Sequence, residues 1–204
     1  MERDTRELIL SAAEAVFADK GFDGARVKDI ASQVGVTHAV IHYHFHTKRD
    51  LYQAVVDRMV GELVELATSI PREPYDPRLK LERFFYGFFD FAARHPSFAR
   101  LANLETGHGD QHYLLDLVRE HLAPQYAKAR GFVSAGITAG VFRQVDPEQL
   151  LTAIYGMIVS YFSDNPFIEA ILGEEGLLEE AVLEHRRDVL MQMILRILLV
   201  NPPA

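Results

Sequence analysis

Along nearly the whole chain apolar residues recur three and four positions apart, and no stretch alternates apolar with polar residues between turn signals. That periodicity predicts an all-α fold. Leu8, Ile9, Ala12, Val16 and Phe17 mark a first helix, which "DKGFDGA" should close with Gly21 and Gly24 in positive-φ conformations. A short helix is expected over about 27–34. A long one should start near Lys48, with Leu51, Val55, Met59, Leu63 and Leu66 on one stripe. Three prolines in "SIPREPYDP" end it and make a connector.

Beyond the connector, helices are expected over 77–94 and 96–105, separated at His95–Pro96, and "HYLLDLVREHL" opens another. Asp146–Pro147 and Asn165–Pro166 each set a capping side chain before a proline suited to the first helical position. The last helix, about 177–200, carries a broad apolar stripe.

The 204 residues contain no cysteine, which removes disulfides, cysteine-zinc sites and thiol nucleophiles from consideration. The longest apolar run, Val189 to Val200, is broken by Gln192 and Arg196 and is shorter than the roughly 18 residues of a membrane span, so a soluble, cytoplasmic chain is expected. A formal charge of −8 argues at first against nucleic acid, but the acid is unevenly spread. Residues 1–50 hold 7 Lys and Arg against 8 Asp and Glu, whereas the remainder holds 14 against 21. Between positions 26 and 49, Arg26, Lys28, Lys48 and Arg49 face a single acid, Asp29.

Within that basic window, "VKDIASQVGVTHAVIHYHF" has the pattern of a helix-turn-helix. Ala31 is small where two helices cross, Gly35 supplies a left-handed turn, and Ile30, Val34, Val36 and Ile41 fill the space between. Thr37 is expected to cap the second helix. With Ile41 and Phe45 turned inward, Thr37, His38, Ala39, His42 and Tyr43 form its outward face. Four histidines in thirteen residues raise the question of a metal, but His38 and His42 supply two ligands and His44 lies about 160° round the helix from His42. The pattern fits a surface that reads a DNA groove, with no metal.

These residues carry a resemblance. "ILSAAEAVFADKGFDG", the helix-turn-helix stretch and "TKRDLYQAV" make residues 5–55 similar to the N-terminal domain of the TetR family of transcriptional regulators. "HRRDVLMQMILRIL" also resembles the last helix of several such regulators. The resemblance implies a DNA-binding domain at 1–50, an all-helical effector and dimerisation domain at 51–204, a homodimer on an operator in double-stranded DNA, and repression relieved by a small molecule. It also implies phosphate contacts for Lys48 and Tyr43. Two positions depart from the family pattern: His42 stands where tyrosine is common, and Arg26 where a hydroxyl residue often caps the second helix. The expected DNA-binding set is therefore Arg26, Lys28, Thr37, His38, Ala39, His42, Tyr43 and Lys48.

In the second half, "LERFFYGFFDFAARHPSF" places seven aromatic residues between positions 84 and 98. They read first as a central core helix and, as the alternative, as one whose rings also wall a ligand pocket, with Phe84, Phe88, Tyr113, Tyr126 and Tyr155 as lining residues and an apolar or aromatic effector as the occupant. Glu105, His108 and His112 have helical spacing for a metal, which Gly107 and Gly109 interrupt. No nucleophile motif, phosphate loop or paired carboxylate site is visible, so neither an enzyme nor a cofactor is expected. Gly156 and Ser160 permit close helix approach, and a four-helix interface between subunits is expected to use Ile154, Tyr161, Val189, Met193, Ile194 and Ile197.

Overall fold

A computed structural model describes residues 2–69, 76–105, 113–173 and 175–201. The connector around Pro71 and the segment with His108 and His112 lie outside the described residues. Among the described residues the chain is helical apart from turns and one isolated β-bridge. In order come α1 (Glu2–Gly24), α2 (Val27–Val34), α3 (His38–His44), α4 (Lys48–Ser69), α5 (Pro77–Arg94) and α6 (Pro96–Glu105). They are followed by α7 (Tyr113–Leu117), α8 (Ala123–Thr138), α9 (Pro147–Ser163), α10 (Asn165–Leu172) and α11 (Glu180–Leu198), with a π-helical turn, Val118–Leu122, joining α7 to α8. The all-α expectation is met.

The chain divides into two compact units, Met1–Gly61 with Ser97–Arg119, and Glu62–Pro96 with Glu120–Ala204. This division departs from the expected 1–50 and 51–204, because α6 and α7 group with the N-terminal helices and α4 crosses from one unit to the other.

In the first unit, Ile9, Ala13, Phe17, Ile30, Ile41, Leu51, Val55 and Met59 are buried. Phe17 and Phe22 both set their rings edge-on to Tyr52, at 5.1 and 5.2 Å between centroids. Gly21 takes φ 68°, as expected, and bends α1, whereas Gly24 has no positive φ and remains within α1. Arg58 on α4 reaches α1 through its guanidinium, 2.7 Å from buried Glu14 and 3.3 Å from Glu7. In the same unit the Tyr113 hydroxyl donates to Asp57 at 2.9 Å. Burial and that bond push the Tyr113 phenol up to about 12.

In the second unit α5 packs on α9 and α11, and α9 also on α8 and α10. Phe85, Phe89, Phe142, Ile158, Phe162, Met191, Ile194 and Leu198 form the centre of its core. Each such side chain contributes roughly 1.5–3 kcal/mol relative to exposure. Asp146 caps α9 as expected, accepting from Glu148 N and Gln149 N at 2.8 and 3.2 Å. The second expected cap differs: Asp164 occupies that position, while Asn165 is already helical and buried, its Nδ2 without a protein partner. Phe142 turns into α8 against Gly136 and pairs with Leu199 in the isolated antiparallel bridge. At the end of α5, buried His95 lies 3.1 Å from Glu62 through Nε2, and Arg94 reaches the same carboxylate oxygen at 2.8 Å.

Candidate nucleic-acid interface

The reading head is built from local backbone chemistry. α2 ends because Gly35 adopts φ 76°, which lets the Gly35 and Val36 amides both donate to Ala31 O at 3.0 Å. Two residues later α3 begins, and Ile30, Ala31, Ile41 and Phe45 are buried where the helices meet. Burying that side leaves Thr37, His38, Ala39, His42 and Tyr43 exposed, the last with 71% of its surface free. His38 and His42 stand side by side with ring centroids 5.3 Å apart. No group of three metal-ligating side chains forms among the described residues. Thr37 holds the N-cap backbone position of α3, but its side chain makes no capping bond, contrary to expectation.

The charge around this face is arranged by a contact the sequence does not reveal. Lys20 donates to Asp29 at 2.9 Å, and this bond leads the influences that hold the Asp29 carboxyl below its ordinary range. The lone acid of the basic window is thus neutralised from α1. Exposed Arg26, Lys28 and Arg49 have no ion-pair partner among the described residues.

Lys48 is placed differently from the expected phosphate contact. Its ammonium donates to the carbonyls of Phe22, Asp23 and Ala25, at 2.7, 3.4 and 3.1 Å, and lies over the Phe22 ring. An ammonium has three donors, and here each meets a carbonyl at the end of α1. Next to it, Thr47 and Asp50 cap α4 reciprocally: the Thr47 amide donates to Asp50 Oδ2 and the Asp50 amide to Thr47 Oγ1, both at 3.0 Å. Together these bonds fix where α4 leaves the head.

The remaining expected site residues are scattered. Phe84 and Phe88 are half-buried and stacked at 6.2 Å, and Phe88 stacks on Tyr155 at 6.3 Å. Tyr126 donates to Glu148 O at 3.2 Å, and Tyr113 belongs to the first unit with its bond to Asp57. None of these five lines two surface cavities, of about 570 and 360 Å³, which are walled by mainly polar side chains such as Arg130 and Glu148 or Arg78, Glu82 and Asp188. Of the expected interface residues, Val189, Met193 and Ile197 are exposed on α11. Ile154, Tyr161 and Ile194 are instead buried in the chain's own core, because they turn toward the helices that pack on α9 and α11. The sequence reading also passed over Phe167, Ile171 and Leu172 on α10, all more than half exposed; their helical spacing was the available signal.

Comparison with known proteins agrees with this geometry. Residues 9–55 match the family model for bacterial regulatory proteins of the tetR family, and residues 77–194 match the tetracyclin repressor-like C-terminal domain. The transcriptional repressor NicS of Pseudomonas putida is 27% identical over 157 residues, covering 76% of this chain and 73% of that protein. The regulator RutR of Escherichia coli is 26% identical, covering 82% and 78%. In fold, the chain is similar to the ketosteroid transcriptional regulator KstR2 of Mycobacterium tuberculosis, with a TM-score of 0.77 at 16% identity, covering 96% of this chain and 95% of that one. Both halves of the chain therefore match one architecture, and the protein belongs to the TetR family of DNA-binding transcriptional regulators.

Proposed function

We propose that this protein is a dimeric, ligand-responsive repressor that leaves a palindromic operator when a small, largely apolar molecule binds its second unit. The observation that carries the DNA half is the exposed polar face of α3, presented beyond a left-handed Gly35 turn and flanked by unpaired Arg26, Lys28 and Arg49. Thr37, His38 and His42 have the size and polar groups to meet base edges in a major groove and Ala39 a methyl for apolar contact there, while Arg26, Lys28, Arg49 and Tyr43 suit the phosphates. Lys48 acts by holding α4 to α1. Two such heads reach successive major grooves, about 34 Å apart, only in a dimer.

The effector half rests on the stacked rings Phe84, Phe88 and Tyr155, which offer aromatic surface without a charge. Tyr126 supplies a polar group close to α9. Release requires the effector to prefer the conformation that fits DNA less well, and a coupling of about 1–3 kcal/mol changes operator affinity 5- to 150-fold. The test has two stages. Selection from a randomised duplex library should return an inverted repeat, and failure to enrich any sequence at low salt would reject the DNA reading. A compound found to bind the protein should then bind less tightly in the presence of that duplex, by the same factor by which it weakens DNA binding; equal affinities would show that it is no inducer.

A further inference from the structure

Arg186 on α11 is a cation without a counter-charge. Its guanidinium lies over the Tyr161 ring, 3.8 Å from the centroid, and one terminal nitrogen reaches Met157 O at 3.5 Å, a long contact. Nε is buried and has no hydrogen-bond partner. No carboxylate is within ion-pairing distance of Arg186 among the described residues, whereas the next residue, Arg187, pairs with Asp90 at 3.0 Å. Burial pushes the Arg186 guanidinium below its ordinary range, as expected for a charge partly removed from water without compensation.

Its surroundings indicate where the missing charge comes from. Val189, Met193 and Ile197 follow Arg186 by three, seven and eleven residues, a spacing that puts all four on one stripe of α11. These three apolar side chains are 39%, 47% and 51% exposed. The acids of the same helix closest in sequence, Glu184 and Asp188, stand two residues to either side and about 160° round the helix, on the opposite face. An apolar stripe with one unsatisfied cation at its end suits another protein surface that brings a carboxylate, and a chain with 29 acidic against 21 basic residues has carboxylates in surplus.

We propose that a second copy of this chain covers the α11 stripe and supplies a carboxylate to Arg186, so that the guanidinium site is complete only in the dimer. The inference rests on the dimeric reading above and adds the residue that fixes the register of the two subunits. A bidentate guanidinium–carboxylate bond has a narrow geometry, which an apolar stripe alone lacks.

Sedimentation velocity of the full chain over a concentration series tests it. The wild type should be dimeric at micromolar concentration, and Arg186→Gln, which leaves the partner's carboxylate buried and unpaired, should raise the dimer dissociation constant at least tenfold. Arg186→Glu should raise it further by opposing two acids, and Arg186→Lys should recover part of the loss. Circular dichroism checks that each variant remains helical. Should Arg186→Glu fail to fold, Arg186→Gln and Arg186→Lys still decide. A dimer equally tight in Arg186→Gln and wild type, with only the unfolding temperature altered, would overturn the proposal and leave Arg186 as a prop for Tyr161. A wild type that remains monomeric would overturn the dimeric reading itself, a result distinct from that of the variants.

Discussion

The ammonium of Lys48 lies 4.5 Å above the ring of Phe22 while donating to the carbonyl of the same residue. One side chain thus ties the first residue of α4 to the end of α1 by charge, hydrogen bond and ring face. If this is its role, Lys48→Ala lowers operator affinity by loosening the head and leaves the salt dependence unchanged. Lys28→Ala, removing a free cation, should reduce the slope of log affinity against log salt by about one unit. A slope reduced equally by Lys48→Ala would return Lys48 to the phosphate contacts.

His38 should read a base and not the backbone. Replacing it with alanine is expected to relax preference at one base pair in each half-site, at about 1–3 kcal/mol for the preferred sequence. Binding to unrelated duplexes should be unaffected. Parallel selection with wild type and variant checks this, and a uniform loss over all sequences would count against a base contact.

The Glu62 carboxylate gives the second unit an acid-sensitive contact. Partial burial works to raise its pKa, but the hydrogen bonds and charge of His95 and Arg94 outweigh that and hold it below its usual 4.5. A depressed carboxylate stabilises the fold above its unfolded pKa, and the contribution is lost as pH falls through the folded value. Glu62→Gln should therefore cost roughly 1–3 kcal/mol near neutrality and show a flatter loss of stability between about pH 5 and 3. Urea titrations over that range would reject the idea if the two proteins lost stability in parallel.

Two glycines should fail for different reasons. A Cβ at Gly136 would run into the Phe142 ring, so Gly136→Ala must displace a buried aromatic and should cost about 1–3 kcal/mol. Gly35 has open space around it but φ 76°, so Gly35→Ala is strained by its backbone alone, by about 1–2 kcal/mol. Gly136→Ala combined with Phe142→Leu should recover part of the first loss, and no recovery would mean that the clash is not the cause.

What was legible in the sequence is what neighbours in the chain decide. The Gly35 turn, the Asp146 cap and the break at His95–Pro96 each depend on a few consecutive residues, and each stands where spacing predicts it. Which apolar face of a helix turns inward is decided by other helices. Ile194 and Met193 are adjacent and equally apolar, yet one is buried and the other 47% exposed. Of the six residues expected at an interface, three are therefore exposed and three are spent in the chain's own core. The contacts of Lys48 were hidden for a related reason: its partners lie 23 to 26 positions earlier and are backbone carbonyls, which no residue pattern advertises. Arg58 with Glu14, 44 positions apart, was missed in the same way.

The bridge between Phe142 and Leu199 has a consequence during synthesis. The Arg143 amide donates to Leu198 O at 2.7 Å and the Val200 amide to Val141 O at 3.1 Å, joining segments more than fifty residues apart. Leu195, Leu198 and Leu199 belong to the core of the second unit, so until they leave the ribosome Phe142 and its neighbours lack a wall. Helices α1–α3 have no such dependence on late residues and can form while the rest is still being translated. A nascent chain stalled before residue 195 would thus carry a formed reading head while its second unit is still open along Phe142.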